Sequence, residues 1–230
     1  MPSLRDTGKI IGSPVSIKHT AHQCGMTFPL SMIQFLHAAG CPFSHYQRLH
    51  VKVLMTPDIP IATMLEGMRE VYSTAGIRVE LASHEDLTGP TFAALLDVDV
   101  GACNAGTATT EQTQLFQNHN GVGANEIVVY FVQSVMRTVG KVGGLNGCAS
   151  HPAGQFGAVV AHDCSPWTLA HEVGHVLGLS HISGENAPKC DMANFTRLMT
   201  GCSTDNITGI PTISQDEINT MLSSPLTHHL

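Results

Sequence analysis

Residues 171–181 read HEVGHVLGLSH, which places His171, Glu172, His175, Gly178 and His181 within a single short stretch. On a helix, His171 and His175 differ by about 40° in azimuth and about 6 Å in height, so both imidazoles reach one ion from the same face. Glu172 follows the first histidine on an adjacent face, where its carboxylate can reach a water at the ion without ligating it, the position of a general base. His181 cannot join them if the helix continues, because six more residues rotate it about 240° and carry it about 9 Å along the axis. Gly178 removes that obstacle, since glycine takes a left-handed conformation without a Cβ penalty, ends the helix and turns the chain back. Three neutral histidines leave a fourth position for water, the arrangement of a catalytic rather than a closed structural zinc site, and imply one catalytic Zn2+. The HExxH core also occurs with a more distant acidic third ligand, for which Glu185 and Asp191 are the candidates here.

Working outward, Ser165 and Pro166 form an N-cap and first-turn pair ahead of a helix over Trp167–Leu177. Upstream, strands are predicted at Val51–Met55, Arg78–Ala82, Glu126–Val135 and around Ala158–Ala161. Between the first two, Ile61, Met64, Leu65, Met68, Val71, Tyr72 and Ala75 repeat at helical spacing opposite Glu66, Arg69, Glu70 and Ser73, and Gly76 stops the run. Strand, helix and strand in that order predict a parallel crossover. Residues 83–125 are poorly patterned, apart from a helix from Thr110 to about Asn118, and Gly140–Gly157 is a glycine-rich connection. Downstream, Ser214 and Glu217 form a capping box ahead of a helix with Ile218, Met221 and Leu222 on one side. Residues 1–50 read as an extension with one short helix over Leu30–Ala39.

Composition narrows the function. The 230 residues suit one domain with an appendage, and a net charge of −7 without a Lys/Arg-rich run argues against nucleic acid as a partner. The longest apolar run, Ile127–Val132, is far shorter than the roughly 20 residues that span a bilayer. No signal-peptide core is visible in the first 30 residues. Seven cysteines without a CxxC pair exclude a cysteine zinc knuckle; Cys190 with Cys202 is a plausible disulfide, and a pairing of Cys103 with Cys148 has no argument from spacing. Fourteen histidines outnumber Lys and Arg together; those outside the motif, His151 and His162 among them, suit surface or core-edge roles.

HEVGHVLGLSH resembles the zinc signature of the metzincin metallopeptidases, and Arg197, Leu198, Met199 and Thr200 resemble their Met-turn. Thr212–Met221 is similar to the start of the last helix in matrixin-type members. The resemblance implies an α+β zincin fold in which a twisted mixed sheet packs on the active-site helix and a smaller C-terminal subdomain follows the third ligand. It divides the chain into an extension, 1–50, an upper subdomain, 51–178, and a lower one, 179–230. It further implies Met199 as an apolar floor beneath the histidines, Ala158–Ala161 as the substrate-aligning edge strand, and Thr200–Pro211 as a wall of the pocket. Ile182 stands where better-known families have a characteristic residue, and there is no tyrosine beside Met199. Cys24 with Gly25 is weakly similar to the cysteine switch of latent matrixins and is a candidate latency ligand for zinc.

The expected function is zinc-dependent endopeptidase action on peptide or protein substrates, with Glu172 as general base and acid, His171, His175 and His181 as ligands, and Met199 and Gly178 as structural support. A peptidase effector with one dedicated host target and a catalytically silent peptide-binding module are the alternatives. The class of function favours an extracellular monomer, while the absence of a visible leader leaves cytoplasmic residence or non-classical export open.

Overall fold

The computed structural model describes residues 43–182 and 194–230, so the readings at Cys24, Leu30–Ala39, Glu185, Cys190 and Asp191 lie outside the described residues. The compact unit His45–Leu230 carries the elements that follow. In chain order they are β1 (His45–Val53), α1 (Ile61–Ser73), β2 (Ile77–Asp86), α2 (Pro90–Ala93), β3 (Asp97–Asp99), α3 (Thr110–Phe116), β4 (Ile127–Val132), β5 (Ser134–Arg137), β6 (Gly143–Leu145), β7 (Gly147–Cys148), β8 (Gly157–Ala161), α4 (Thr168–Val176), a 3-10 turn (Thr204–Asn206), α5 (Gln215–Ser223) and β9 (His228–His229). The fold is mixed α+β, with β1 starting at His45 rather than at Val51.

Among the described residues the main sheet runs β2-β1-β4-β8-β7, with β9 paired to β1. The first four strands are parallel, and β7 and β9 run antiparallel to their neighbours. A smaller sheet orders β3-β5-β6. Strand β4 explains its own composition: every residue of IVVYFV is buried, as a central parallel strand covered on both faces requires. Ile127, Val129 and Phe131 point to one cluster with Met64, Met68 and Tyr72 of α1 and Leu169 and Val173 of α4. Val128, Tyr130 and Val132 point to the other, with Leu115 and Phe116 of α3. The period of two thus assigns both helices that matter to the site, α1 and α4, to one face. Tyr72 ties them directly, donating its hydroxyl proton to Ala170 O at 2.9 Å.

Helix boundaries follow local chemistry. Gly76, at φ 69°, turns the chain from α1 into β2. Ser214 and Glu217 make the reciprocal capping box of α5, and Thr109 with Gln112 makes a second at α3. At α4 the expected cap differs: Trp167 holds the N-cap position, while Ser165 Oγ accepts the Trp167 N–H at 3.2 Å and contacts Thr168 Oγ1 at 3.1 Å. Ser165 stabilises the turn before the helix rather than the helix end.

The remaining face of β1 is polar yet covered. Lys52, with 2% of its side chain exposed, pairs with Glu85 and donates to Asn120 O at 3.1 Å. His50 Nε2 meets Glu126 Oε2 at 2.7 Å, its Nδ1 meets Ser83 Oγ at 2.7 Å, and Glu126 also takes the Gly123 N–H at 2.8 Å and pairs with Arg48. Burial alone would raise the Glu126 pKa, but the Gly123, His50 and Arg48 interactions outweigh it and hold the carboxyl below its ordinary value of 4.5. A carboxyl shifted down stabilises the fold above its unfolded pKa and loses that contribution as pH falls through the folded one. Glu126→Gln should therefore cost about 1–2 kcal/mol at pH 7 and progressively less below about pH 4, as measured by urea unfolding at both pH values.

Candidate metal centre and cleft

Helix α4 is fixed by its burial before it offers any ligand: Leu169, Ala170 and Val173 are sealed in the core, and His171 and Glu172 are carried inward with them. It ends where a left-handed residue is required. Gly178 sits at φ 97°, its N–H bonds His175 O at 2.9 Å, and the Leu179 N–H bonds Gly174 O at 3.0 Å, the paired bonds of a Schellman cap. The reversed chain then delivers His181, and the Ile182 N–H closes onto Met199 O at 3.0 Å.

The outcome is a triangle of imidazole nitrogens. His171 Nε2 lies 3.1 Å from His175 Nε2 and 3.2 Å from His181 Nε2, and the last two are 3.0 Å apart. His171 Nδ1 donates to Leu198 O at 2.7 Å and His175 Nδ1 to Leu179 O at 2.8 Å, so in both rings the proton is on Nδ1 and the lone pair on Nε2 faces inward. A tetrahedral zinc with bonds of about 2.0–2.1 Å separates its nitrogens by about 3.3 Å, close to the spacing seen. The residues fit a zinc ion, and among the described residues they are the group of three side chains whose ligand atoms converge in this way. Burial first, and then the neighbouring His175, holds His171 well below the ordinary histidine range despite its bond to Leu198 O. Burial, His175 and Arg137 bring His181 down to about 4. Both rings are thus kept in the neutral form that ligation needs.

Glu172 is buried beside the triangle, and burial pushes its carboxyl up to about 8. It shares with the three histidines a cleft of about 610 Å³. The opposite wall is β7, whose backbone passes so close that a Cβ on Gly147 would stand 2.6 Å from Glu172 Cγ. This corrects the placement of the edge strand. β8, which contains Ala158–Ala161, is interior, paired with β4 on one side and β7 on the other, and the strand at the sheet's end is Gly147–Cys148. Its two residues fell inside the Gly140–Gly157 connection, too short for an alternating pattern, although a glycine cluster does signal close backbone approach. Cys148 is bonded to Cys103, which anchors this end of the sheet to the loop after β3, and Cys202 is also disulfide-bonded.

Met199 is fully buried under the helix, its Sδ 2.8 Å from where a Cβ of Gly174 would stand. The preceding carbonyl, Leu198 O, orients His171. Ser203 and Thr204 line the cleft, and Asn146 of the loop before β7 donates to Ser203 Oγ and Asp205 Oδ2. His162 is occupied elsewhere, with Nδ1 bonded to Gln133 O at 3.0 Å.

A sequence model of the Metallo-peptidase family M12B Reprolysin-like matches residues 60–182, from the start of α1 to the residue after the third histidine. No curated protein matches the chain. Among solved structures the chain is similar to archaemetzincin from Methanopyrus kandleri, at 16% identity and TM-score 0.46, over 76% of this chain and 93% of that one. It is similar to metalloproteinase-II from Bacteroides fragilis at 17% identity and TM-score 0.47, over 79% of this chain but 53% of that one. It is also similar to archaemetzincin from Archaeoglobus fulgidus, complexed with malonate, at 14% identity and TM-score 0.42, over 75% and 99% of the two chains.

Gly174→Ala tests the contact between the helix and Met199. Alanine ordinarily favours a helix interior by about 1 kcal/mol, but a 2.8 Å approach to the sulfur of a buried side chain forces repacking, which typically costs about 1–3 kcal/mol. The variant should melt at a lower temperature than wild type and bind zinc more weakly, as measured by calorimetry with and without the metal.

Proposed function

The chain belongs to the M12B reprolysin-like metallopeptidase family, and from that premise we propose that it is a zinc-dependent endopeptidase in which Glu172 serves as general base and then general acid. Peptides or proteins are the substrates of such a zinc peptidase. The single observation that carries the proposal is the convergence of three Nε2 lone pairs beside a buried carboxyl, inside one cleft.

His171, His175 and His181 would hold the metal. When bound, zinc supplies Lewis acidity, which makes water more acidic and polarises the scissile carbonyl. Glu172 takes the proton of the attacking water as its oxygen bonds to the carbonyl carbon, then delivers that proton to the amide nitrogen as the C–N bond breaks. Its wall of backbone at Gly147 limits the positions the carboxyl can take, so little orientation is lost when substrate arrives. Strand β7 is paired on one side only among the described residues, which supports its use in aligning a peptide by backbone hydrogen bonds. Such pairing admits chain on both sides of the cleaved bond, as internal cleavage requires. Met199, buried beneath the helix, supports the rings without offering a ligand. The Gly178 cap is the hinge that makes the third ligand available.

Glu172→Ala should retain one zinc per chain by metal analysis while hydrolysis of a peptide library falls by about 10²- to 10⁴-fold; undiminished turnover would overturn the role of Glu172. Gly147→Ala should also keep zinc, yet lower turnover by about 10²-fold, because its Cβ must displace the Glu172 side chain. Removal of the metal with a chelator should abolish hydrolysis in wild type, and stoichiometric zinc should restore it.

A further inference from the structure

We infer that the cleft beside His181 recognises a carboxylate carried by the peptide, with Arg137 and Lys141 as its receptors. The inference rests on the peptidase reading above and names its substrate class.

The argument starts from what the protein does with its cations. Among the described residues, Arg48 pairs with Glu126, Lys52 with Glu85, Arg78 with Glu80 and Arg197 with Glu217. Arg69 donates from Nε to Val79 O at 3.2 Å. Among the described residues Arg137 and Lys141 have no side-chain partner of either kind, and both line the cleft that holds the three histidines. A solvated lysine needs no partner, and Lys141 is exposed. Arg137 is different: its Nε is buried with nothing to accept its proton, as is that of Arg197, but unlike Arg197 it has no carboxylate on the rest of its guanidinium among the described residues. A donor left in that state costs free energy until an acceptor arrives.

The hairpin explains why the two cations act together. Arg137 is the last residue of β5, opposite Gly143 of β6, and Gly140, at φ 80°, turns the intervening loop that carries Lys141. Both side chains therefore stand on one wall, and Arg137 is near enough to His181 to oppose protonation of that ring. Among the described residues, neither cation forms an ion pair. Glu172 is its one lining carboxyl among the described residues, and Asp205, outside the lining, is bonded by Asn146 and by Ser203 Oγ at 2.6 Å. In a chain of net charge −7, the cleft is thus a place where, among the described residues, two cations stand without a carboxylate partner. A planar guanidinium fork is matched by a carboxylate, with the ammonium adding a second attraction. On a peptide, that carboxylate is either an Asp or Glu side chain near the cleaved bond or the C-terminus.

The test uses the full-length zinc protein and paired peptides carrying Glu or Gln at each position around the cleaved bond, each made as C-terminal acid and amide. Wild type should favour Glu over Gln at one position, or acid over amide, by about tenfold in kcat/KM, and the ratio should shrink in about 0.5 M salt. The arm that carries the preference identifies the source of the carboxylate. Arg137→Gln should bring the ratio near one, and Lys141→Glu, at an exposed position where folding is not at stake, should lower it several-fold. Ratios near one in wild type for every pair, or an acidic preference that survives both substitutions, would overturn the inference. Binding of the same pairs to zinc-loaded Glu172→Gln, followed by fluorescence anisotropy, separates the two readings. Selective binding of the acidic peptide without cleavage by wild type would refute the peptidase and uphold the receptor, whereas cleavage without discrimination would do the reverse. Neither binding nor cleavage of any peptide would refute both.

Discussion

Three imidazole lone pairs held within 3.2 Å of one another repel unless a cation lies among them, and much of this fold serves to impose that arrangement. Two of the rings come from adjacent turns of one helix and need only helical geometry. The third must return to the same point after the helix has stopped, so the capping of α4 at Gly178 is a condition for the site and not a detail of its boundary. Carbonyls from two different segments, Leu198 and Leu179, then set the proton on the outer nitrogen of two rings. Metal affinity is thereby built from backbone positions, which substitutions at the surface do not reach.

The same constraint explains how the helix is packed. A helix that carries two converging imidazoles and a carboxyl toward a cleft has to be rigid from behind, and α4 is backed by α1, by one face of β4 and β8, and by Met199 and Met221. Gly67 and Gly174 allow the close approaches, the first toward Trp167 and the second toward Met199. On the cleft side, β7 crosses near Glu172 and is tied by the Cys103–Cys148 bond. The carboxyl is thus set between a packed core and a backbone strand. Burial there raises its pKa to about 8.

The centre of this arrangement was legible in the sequence because it is local. The spacing of His171, His175, Gly178 and His181 encodes a helix, a stop and a return, and the period of Ile61–Ala75 and the capping box at Ser214 are equally short-range. What crosses between segments was not legible. The carbonyls of Leu198 and Leu179 carry no side-chain signature as hydrogen-bond acceptors. Strand β7, two residues long, has no pattern to read and acquires its place only through pairing with β8. The expectation that Ala158–Ala161 forms the edge failed for this reason: a buried apolar run states that both faces are covered, and says nothing about which strands flank it. The histidine excess resolves similarly. His50 holds polar partners within β1, and His119, His162 and His228 hold theirs at or beside the ends of strands and helices, a use of imidazole that leaves no trace in spacing.

The low charge of the chain has a consequence at the site. Of the cations among the described residues, Arg48, Lys52, Arg78 and Arg197 are committed to carboxylates. Among the described residues, the charged side chains of the cleft are few: a buried carboxyl, an arginine at the end of β5 and a lysine in the following turn. Because screening is weaker in a partly enclosed cleft than on an open surface, two unpaired cations there weigh more than their number suggests. A zinc ion would add to that positive field, so a negatively charged group on an incoming peptide is drawn toward the same wall that holds the third ligand.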